Sequence, residues 1–216
     1  MDKFIDRLVQ DQDIESWYVA TFDKKIFKDS GVYLSFRCDG YCDLDPDFEI
    51  SEEVSVTAID DMGSGPSLIH EKAWRNFLEH AKNYEKELIR KLWAIVSSEI
   101  DLLDFQEEDL DPMNGKKQNF WDQLRVKLDL SSSDCLKSQV HLESINLLDH
   151  GLSEIGIIVF AFSVGWDDEH GVEIAMHEGR VLAASSSGDL TTRRTNIIEH
   201  LKCIQEFNFD EGDYRL

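Results

Sequence analysis

The sequence predicts an α+β fold with an antiparallel β-sheet or meander, a long helix or helix pair over residues 67–103, and a short C-terminal helix. Three observations support this class. Residues 67–103 repeat apolar positions every three or four residues, as an amphipathic helix does. The regions on both sides contain short runs of strand-forming residues. Near the C-terminus these runs are separated only by short glycine-containing turns, which is typical of a meander.

The N-terminal region reads as strands that follow a short helix. Residues 17–22 are rich in aromatic and β-branched residues, and residues 54–58 alternate with period two. Two glycines and a proline then interrupt the chain at residues 63–66, which we interpret as a linker. We therefore expect an acidic, strand-rich region over residues 1–62 and an α+β domain over residues 67–216. A single continuous domain is the alternative.

Residues 67–103 give the strongest helical signal in the chain. Ser67 is a candidate N-cap residue. The stretch is long for one globular helix, so we expect a break near Tyr84 or Ser97, or two packed helices. The apolar positions are Trp74, Phe77, Leu78, Ala81, Tyr84, Leu88, Leu92, Ile95 and Val96.

The C-terminal third reads as a meander. Residues 155–166 are almost continuously apolar, which predicts a central strand. Residues 167–171 are expected to form a turn, and residues 172–176 alternate like a strand. Glu178-Gly179 predicts another turn before a return strand over residues 181–184. The predicted final helix carries Ile197, Ile198, Leu201 and Ile204, with Thr195 as its cap.

Composition limits the possible partners. The 216 residues include 44 acidic and 22 basic side chains, for a net charge of −22. The 42% hydrophobic and 10% aromatic content is too apolar for a disordered acidic tail, so the charge belongs to a folded body. Such a surface repels nucleic-acid phosphates and anionic membranes, and it attracts basic proteins. No long apolar stretch or signal peptide is evident, so we expect a cytoplasmic protein without direct nucleic-acid or membrane contact.

No familiar catalytic or metal-binding motif is present. Cys38 and Cys42 form the one close cysteine pair, and their C-x3-C spacing lacks a second pair to complete a zinc site. Cys135 and Cys203 are isolated, and we interpret all four as reduced thiols. His141, His150, His177 and His200 are also isolated, and nucleotide-binding glycine motifs are missing. We therefore predict no catalytic residue, metal or cofactor.

The densest acidic run lies between residues 39 and 53, with seven acids and no base. It is interpreted either as a solvated face or as a docking surface for a basic partner. A calcium loop is disfavoured because Pro46 and Phe48 occupy positions that need flexibility and glycine. Apolar side chains interleaved with the acids could act as anchors. The predicted partner-binding residues are Tyr41, Asp43, Asp45, Asp47, Phe48, Glu49, Glu52 and Glu53.

A second polar cluster is Trp166-Asp167-Asp168-Glu169-His170-Gly171. Its simplest interpretation is a tight turn in which Gly171 adopts a positive φ. The alternative is an acid–base or metal-dependent enzyme centred on Asp167, Glu169 and His170. Against this alternative, all of the candidate ligands lie within four residues of one another.

The same segment carries a family resemblance. An apolar strand that ends in W-D-x-E-H-G, followed by a short strand, a His-x-Gly turn and a return strand, resembles an uncharacterised bacterial domain family. The resemblance covers residues 67–190, and Glu173 departs from it by standing where a small residue is more usual. It implies a small cytosolic protein with a helix upstream of a terminal meander. It also implies immunity, since some members accompany secreted toxins, and it supplies no catalytic residues.

Together these observations predict a non-enzymatic bacterial immunity protein that neutralises a cognate, basic toxin by direct contact. The resemblance contributes the idea of immunity, and the net charge contributes the sign of the partner. The alternatives are the enzyme described above and an acidic mimic of nucleic acid that occupies DNA-binding proteins.

Overall fold

The computed structural model describes residues 3–23, 53–61, 63–103, 136, 140–164, 167–186, 189–192 and 197. In these ranges the fold is mixed α+β, as the sequence predicted. The strands are β1 (Val9–Gln10), β2 (Trp17–Asp23), β3 (Glu53–Ile59), β4 (Val140–Leu152), β5 (Ile155–Val164), β6 (Asp167–His177) and β7 (Arg180–Ser186). The helices are a 3-10 turn (Phe4–Arg7), α1 (Leu68–Glu79), α2 (Ala81–Leu103) and α3 (Asp189–Thr192).

The seven strands in the described part of the chain belong to one sheet, in the order β1-β2-β3-β4-β5-β6-β7. Neighbouring strands are antiparallel except for β3 and β4, which are parallel. A parallel pair needs a long crossover connection, and here that connection contains α1 and α2. The sheet therefore combines strands from the acidic N-terminal region with the meander.

The helix pair has its break at His80. The backbone of His80 (φ −114°, ψ 20°) leaves the helical conformation, which ends α1. The break lies four residues before Tyr84. At the other end of α1, Ser67 is the N-cap residue, and its extended backbone (φ −122°, ψ 176°) begins the helix.

One face of the sheet packs against α1 and α2. Aromatic rings lie at the centre of this core: the Phe77 ring centroid is 5.3 Å from that of Tyr84 and 5.4 Å from that of Phe160. Both contacts are edge-to-face, the geometry that aromatic pairs prefer. The Tyr84 hydroxyl donates to Asn76 Oδ1 at 2.8 Å. These contacts hold α1 and α2 against the sheet.

The opposite face of the sheet carries a second, smaller core that includes residues of α3. Glu173 of β6 is 3% exposed within this face. Its Oε2 accepts hydrogen bonds from the backbone N–H of Leu190 (2.8 Å) and Thr191 (3.2 Å). Its Oε1 accepts from the Thr191 hydroxyl at 2.8 Å. The carboxylate thus holds α3 against the sheet. The apolar residues of this core are Ile59, Leu148, Ile157, Val159, Ala175, Leu182, Ala183, Leu190 and Ile197.

Other expectations fall only partly in the described ranges. The predicted strands at residues 17–22, 54–58 and 181–184 are present in β2, β3 and β7. The strand predicted over residues 155–166 is present over residues 155–164 as β5, and residues 165–166 lie outside the described ranges. The predicted C-terminal helix has only Ile197 among the described residues, where it is helical and buried. Thr195, Ile198, Leu201 and Ile204 lie outside them, as do all four cysteines.

Candidate functional site

The predicted acidic docking run is represented by one described residue, Glu53. It is exposed and begins β3, where it pairs with Asp23 at the end of β2. The two residues that flank the segment containing most of the acidic run, Asp23 and Glu53, are therefore held side by side in the sheet. The other predicted partner-binding residues lie outside the described residues: Tyr41, Asp43, Asp45, Asp47, Phe48, Glu49 and Glu52.

The prediction of a turn at residues 167–171 is wrong. Residues 167–171 all belong to β6, and β5 already pairs with β6 at Val164 and Asp167. The chain reversal therefore precedes Asp167. Trp166 lies outside the described residues.

The motif instead coincides with an irregularity in the sheet. Between the pairs Phe162–Val172 and Val164–Asp167, four residues of β6 stand opposite the single residue Ser163. Gly171 has a φ of +63° there, and a Cβ atom on it would overlap the Phe162 carbonyl oxygen. The glycine of the motif is thus explained by a bulge that only glycine fits.

A polar cluster lies where the parallel pairing of β3 and β4 ends. Ile59 and Leu148 are paired, so the residues that follow them meet: Asp60 and Asp61 after β3, Asp149 and His150 within β4. Asp61 donates its backbone N–H to Asp149 Oδ2 at 2.8 Å. His150 Nδ1 lies in contact with Asp149 Oδ1. We call Asp61, Asp149 and His150 the strand-end cluster.

Asp60 is 3% exposed beside this cluster. Its Oδ2 accepts the backbone N–H of Gly65 at 2.5 Å, and its own N–H donates to Ser16 O at 2.8 Å. Gly63 and Gly65 both have positive φ, at 68° and 80°. The segment interpreted as a linker is therefore a turn that Asp60 stabilises between β3 and α1.

His70 connects the same strand end to helix α1. Its Nδ1 accepts the Ser67 backbone N–H at 3.1 Å, which places the ring proton on Nε2, 3.0 Å from Ile59 O. Burial lowers the pKa of the His70 imidazole, although the Ile59 carbonyl and the charges of Asp149 and Asp60 partly oppose this effect. His70 is therefore a neutral structural link rather than a charged group of the cluster.

Comparison with known families decides the membership of the chain. Residues 7–191 match the family model of a domain of unknown function, DUF6985. The protein belongs to the DUF6985 family. The match includes β1 to β3, which the sequence resemblance over residues 67–190 left out. No curated protein and no solved structure matches the chain.

In this DUF6985 protein the strand-end cluster is the chemically richest group that the structure describes. It combines two carboxylates with an imidazole, a set that can attract cations or exchange protons. The strand-end cluster was not predicted from the sequence, because His150 has no ligand motif beside it and Asp61 lies 88 residues before Asp149. The available signal was a pair of polar residues directly after an apolar run in two places, Asp60-Asp61 after Ile59 and Asp149-His150 after Leu148.

The described helices also bear on membrane contact. None of the helices in the described part of the chain is both long and apolar enough to cross a lipid bilayer.

Proposed function

We propose that this DUF6985 protein is a bacterial immunity protein, which binds a basic toxin in the cytoplasm and neutralises it by direct protein–protein contact. The observation that carries the proposal is the distribution of charge. The net charge is −22, yet residues 67–103, which contain α1 and α2, have six acids and six bases. The excess negative charge therefore lies outside residues 67–103.

The acidic run is the proposed contact surface. Seven acids and no base between residues 39 and 53 would steer a basic protein into contact, and Tyr41 and Phe48 would supply apolar anchors. The pairing of Asp23 with Glu53 supports this assignment, because a rigid sheet then anchors both ends of the segment that contains the run. Binding residues often lie on connections that a rigid scaffold positions.

The first experiment isolates the tagged full-length protein from its native cytosol, with washes at low and then high salt. A stoichiometric basic polypeptide whose toxic activity the purified protein suppresses would support the proposal. Absence of such a polypeptide at both salt concentrations would contradict it. Salt is informative because the Debye length falls from about 10 Å at 0.1 M to about 3 Å at 1 M.

A charge-matched pair of variants then tests the contact surface. One variant combines Asp43→Asn, Asp45→Asn and Asp47→Asn. The control combines Asp6→Asn, Asp13→Asn and Glu15→Gln, three exposed acids near β1 and β2.

The first variant should slow association with the toxin by about tenfold at low salt and flatten its salt dependence, because steering acts on the encounter rate. The control should slow association less. Equal slowing by both variants would show that overall charge, rather than this run, attracts the partner. Phe48→Ala should instead raise the dissociation rate, since an apolar anchor acts after encounter.

A further inference from the structure

The strand-end cluster is assembled by the parallel pairing of β3 and β4. Because Ile59 pairs with Leu148, the residues that follow Ile59 in the chain lie beside the residues that follow Leu148. One donor atom from each of Asp61, Asp149 and His150 then lies within 4.8 Å of the other two. The backbone bond from Asp61 N–H to Asp149 Oδ2 orients that carboxylate, so that its Oδ1 faces His150.

The orientation of His150 is a separate observation that points to a ligand. Its side chain is 35% exposed, yet its Nδ1 atom is shielded from solvent and lies against the carboxylate. The ring therefore presents this nitrogen inward, toward the two Asp side chains, while its other edge reaches solvent. An inward-facing imidazole nitrogen beside two carboxylate oxygens is a mixed donor set rather than an acidic patch.

We infer that the strand-end cluster binds a divalent first-row metal ion of the Mn²⁺ to Zn²⁺ range. Carboxylate oxygens suit Mn²⁺, and imidazole suits Fe²⁺ and Zn²⁺, whereas Ca²⁺ takes six to eight oxygen ligands. Metal–ligand bonds of about 2.0–2.2 Å place neighbouring donors about 3.0–3.4 Å apart. His150 Nδ1 and Asp149 Oδ1 lie closer together than this, so the His150 ring would rotate outward and the exposed Asp61 side chain inward to reach that spacing. Water would complete the coordination.

The surrounding charge favours the same ligand. Asp60 adds a third carboxylate next to the cluster and is itself buried. The charges of Asp60 and Asp149 also oppose the fall in the pKa of the buried His70 imidazole, so both carboxylates lie near this end of the sheet. A divalent cation would offset the repulsion among these groups.

The metal site is independent of the proposed toxin contact. It lies at the carboxyl end of β3, whereas Glu53, the last residue of the acidic run, begins that strand. Seven residues of extended chain separate the two ends by roughly 20 Å. Loss of metal binding should therefore leave association with a basic partner unchanged.

The test titrates Mn²⁺ into the metal-free, full-length protein and follows free Mn²⁺ by electron paramagnetic resonance. Mn²⁺ is the probe because it binds thiols weakly, so the four cysteines do not compete. We expect one Mn²⁺ per chain, displaced by Zn²⁺. Absence of saturable binding up to about 1 mM Mn²⁺, a free energy of only about −4 kcal/mol, would overturn the inference.

Three variants and two controls locate the site. Asp149→Asn and His150→Gln should each weaken Mn²⁺ binding by at least tenfold, and so should the exposed substitution Asp61→Asn, which leaves the buried groups intact. The controls Asp13→Asn and His80→Gln change an exposed Asp and an exposed His elsewhere and should bind normally. Mn²⁺ binding that persists unchanged in Asp61→Asn and His150→Gln, with both variants folded, would also overturn the inference.

Discussion

Glu173 offers the sharpest test of how the second face of the sheet is stabilised. Its carboxylate is 3% exposed and accepts three hydrogen bonds, from Leu190 N–H, Thr191 N–H and the Thr191 hydroxyl. Glu173→Ala removes both acceptor oxygens and leaves the three donors buried. Glu173→Gln keeps the shape and one acceptor oxygen, but it turns an amide NH₂ toward a donor.

The magnitude follows from the donors that lose their acceptor. Each buried donor without a partner costs about 1–3 kcal/mol, and hydrogen bonds to a charged group contribute about 1.5–3 kcal/mol each. The three bonds share one carboxylate, so their contributions are not additive. We expect Glu173→Ala to lower the free energy of unfolding by about 3–5 kcal/mol, and Glu173→Gln by about 1–2 kcal/mol.

Urea denaturation measures the free energy of unfolding, with Glu79→Ala as a control at an exposed position of α1. The control should change stability by no more than about 0.5 kcal/mol. Hydrogen exchange adds a local measurement, because release of α3 alone would relieve part of the global cost. A loss below about 1 kcal/mol in Glu173→Ala, with the Leu190 and Thr191 amides still protected, would refute the argument.

Three further predictions concern other parts of the fold. Because burial lowers the pKa of the His70 imidazole, the unfolded chain binds its proton more readily. The stability that neutral His70 contributes is therefore complete above about pH 6.5 and is lost as pH falls below that value. Urea unfolding at a series of pH values on either side of 6.5 should show a smaller decline in His70→Asn. Gly171→Ala should lower the melting temperature more than Gly63→Ala does. Both glycines have a positive φ, but only at Gly171 would the new Cβ atom overlap backbone atoms. Equal losses of melting temperature would contradict the bulge argument. Phe160→Ala, in the main core, should lower the free energy of unfolding by about 3–5 kcal/mol. Ile157→Val, in the smaller core on the opposite face, should lower it by about 0.5–1.5 kcal/mol. A larger loss for Ile157→Val in urea unfolding would contradict the placement of the main core.

The local patterns of the sequence predicted the fold class well. Alternation at residues 54–58 and the apolar run from Ile155 depend on side chains that face a core, and this dependence leaves a period in the sequence. The position of the helix break was harder, since His80 has no breaker residue beside it and the apolar period continues through it. The turn expected at residues 167–171 failed for a related reason. Asp, Glu and Gly favour turns and bulges alike, and only strand pairing distinguishes the two.

The strand-end cluster could not be predicted from local patterns. Asp61 and His150 are separated by 89 positions, and neither has a motif around it. Their proximity requires β3 and β4 to be parallel neighbours, with both helices in the crossover between them. Glu173 illustrates the same limit, because its alternating position alone does not reveal that a later helix would supply donors to a buried carboxylate.

The sequence by itself determined the α+β class, the elements with strong periodicity and a net charge of −22, because these depend on composition and on neighbours within a few residues. Tertiary structure alone decided the parallel pairing of β3 with β4, the bulge at Gly171 and the meeting of Asp61 with His150. Such contacts depend on which distant segments pack together, and that choice is set by the burial of whole faces rather than by any single residue.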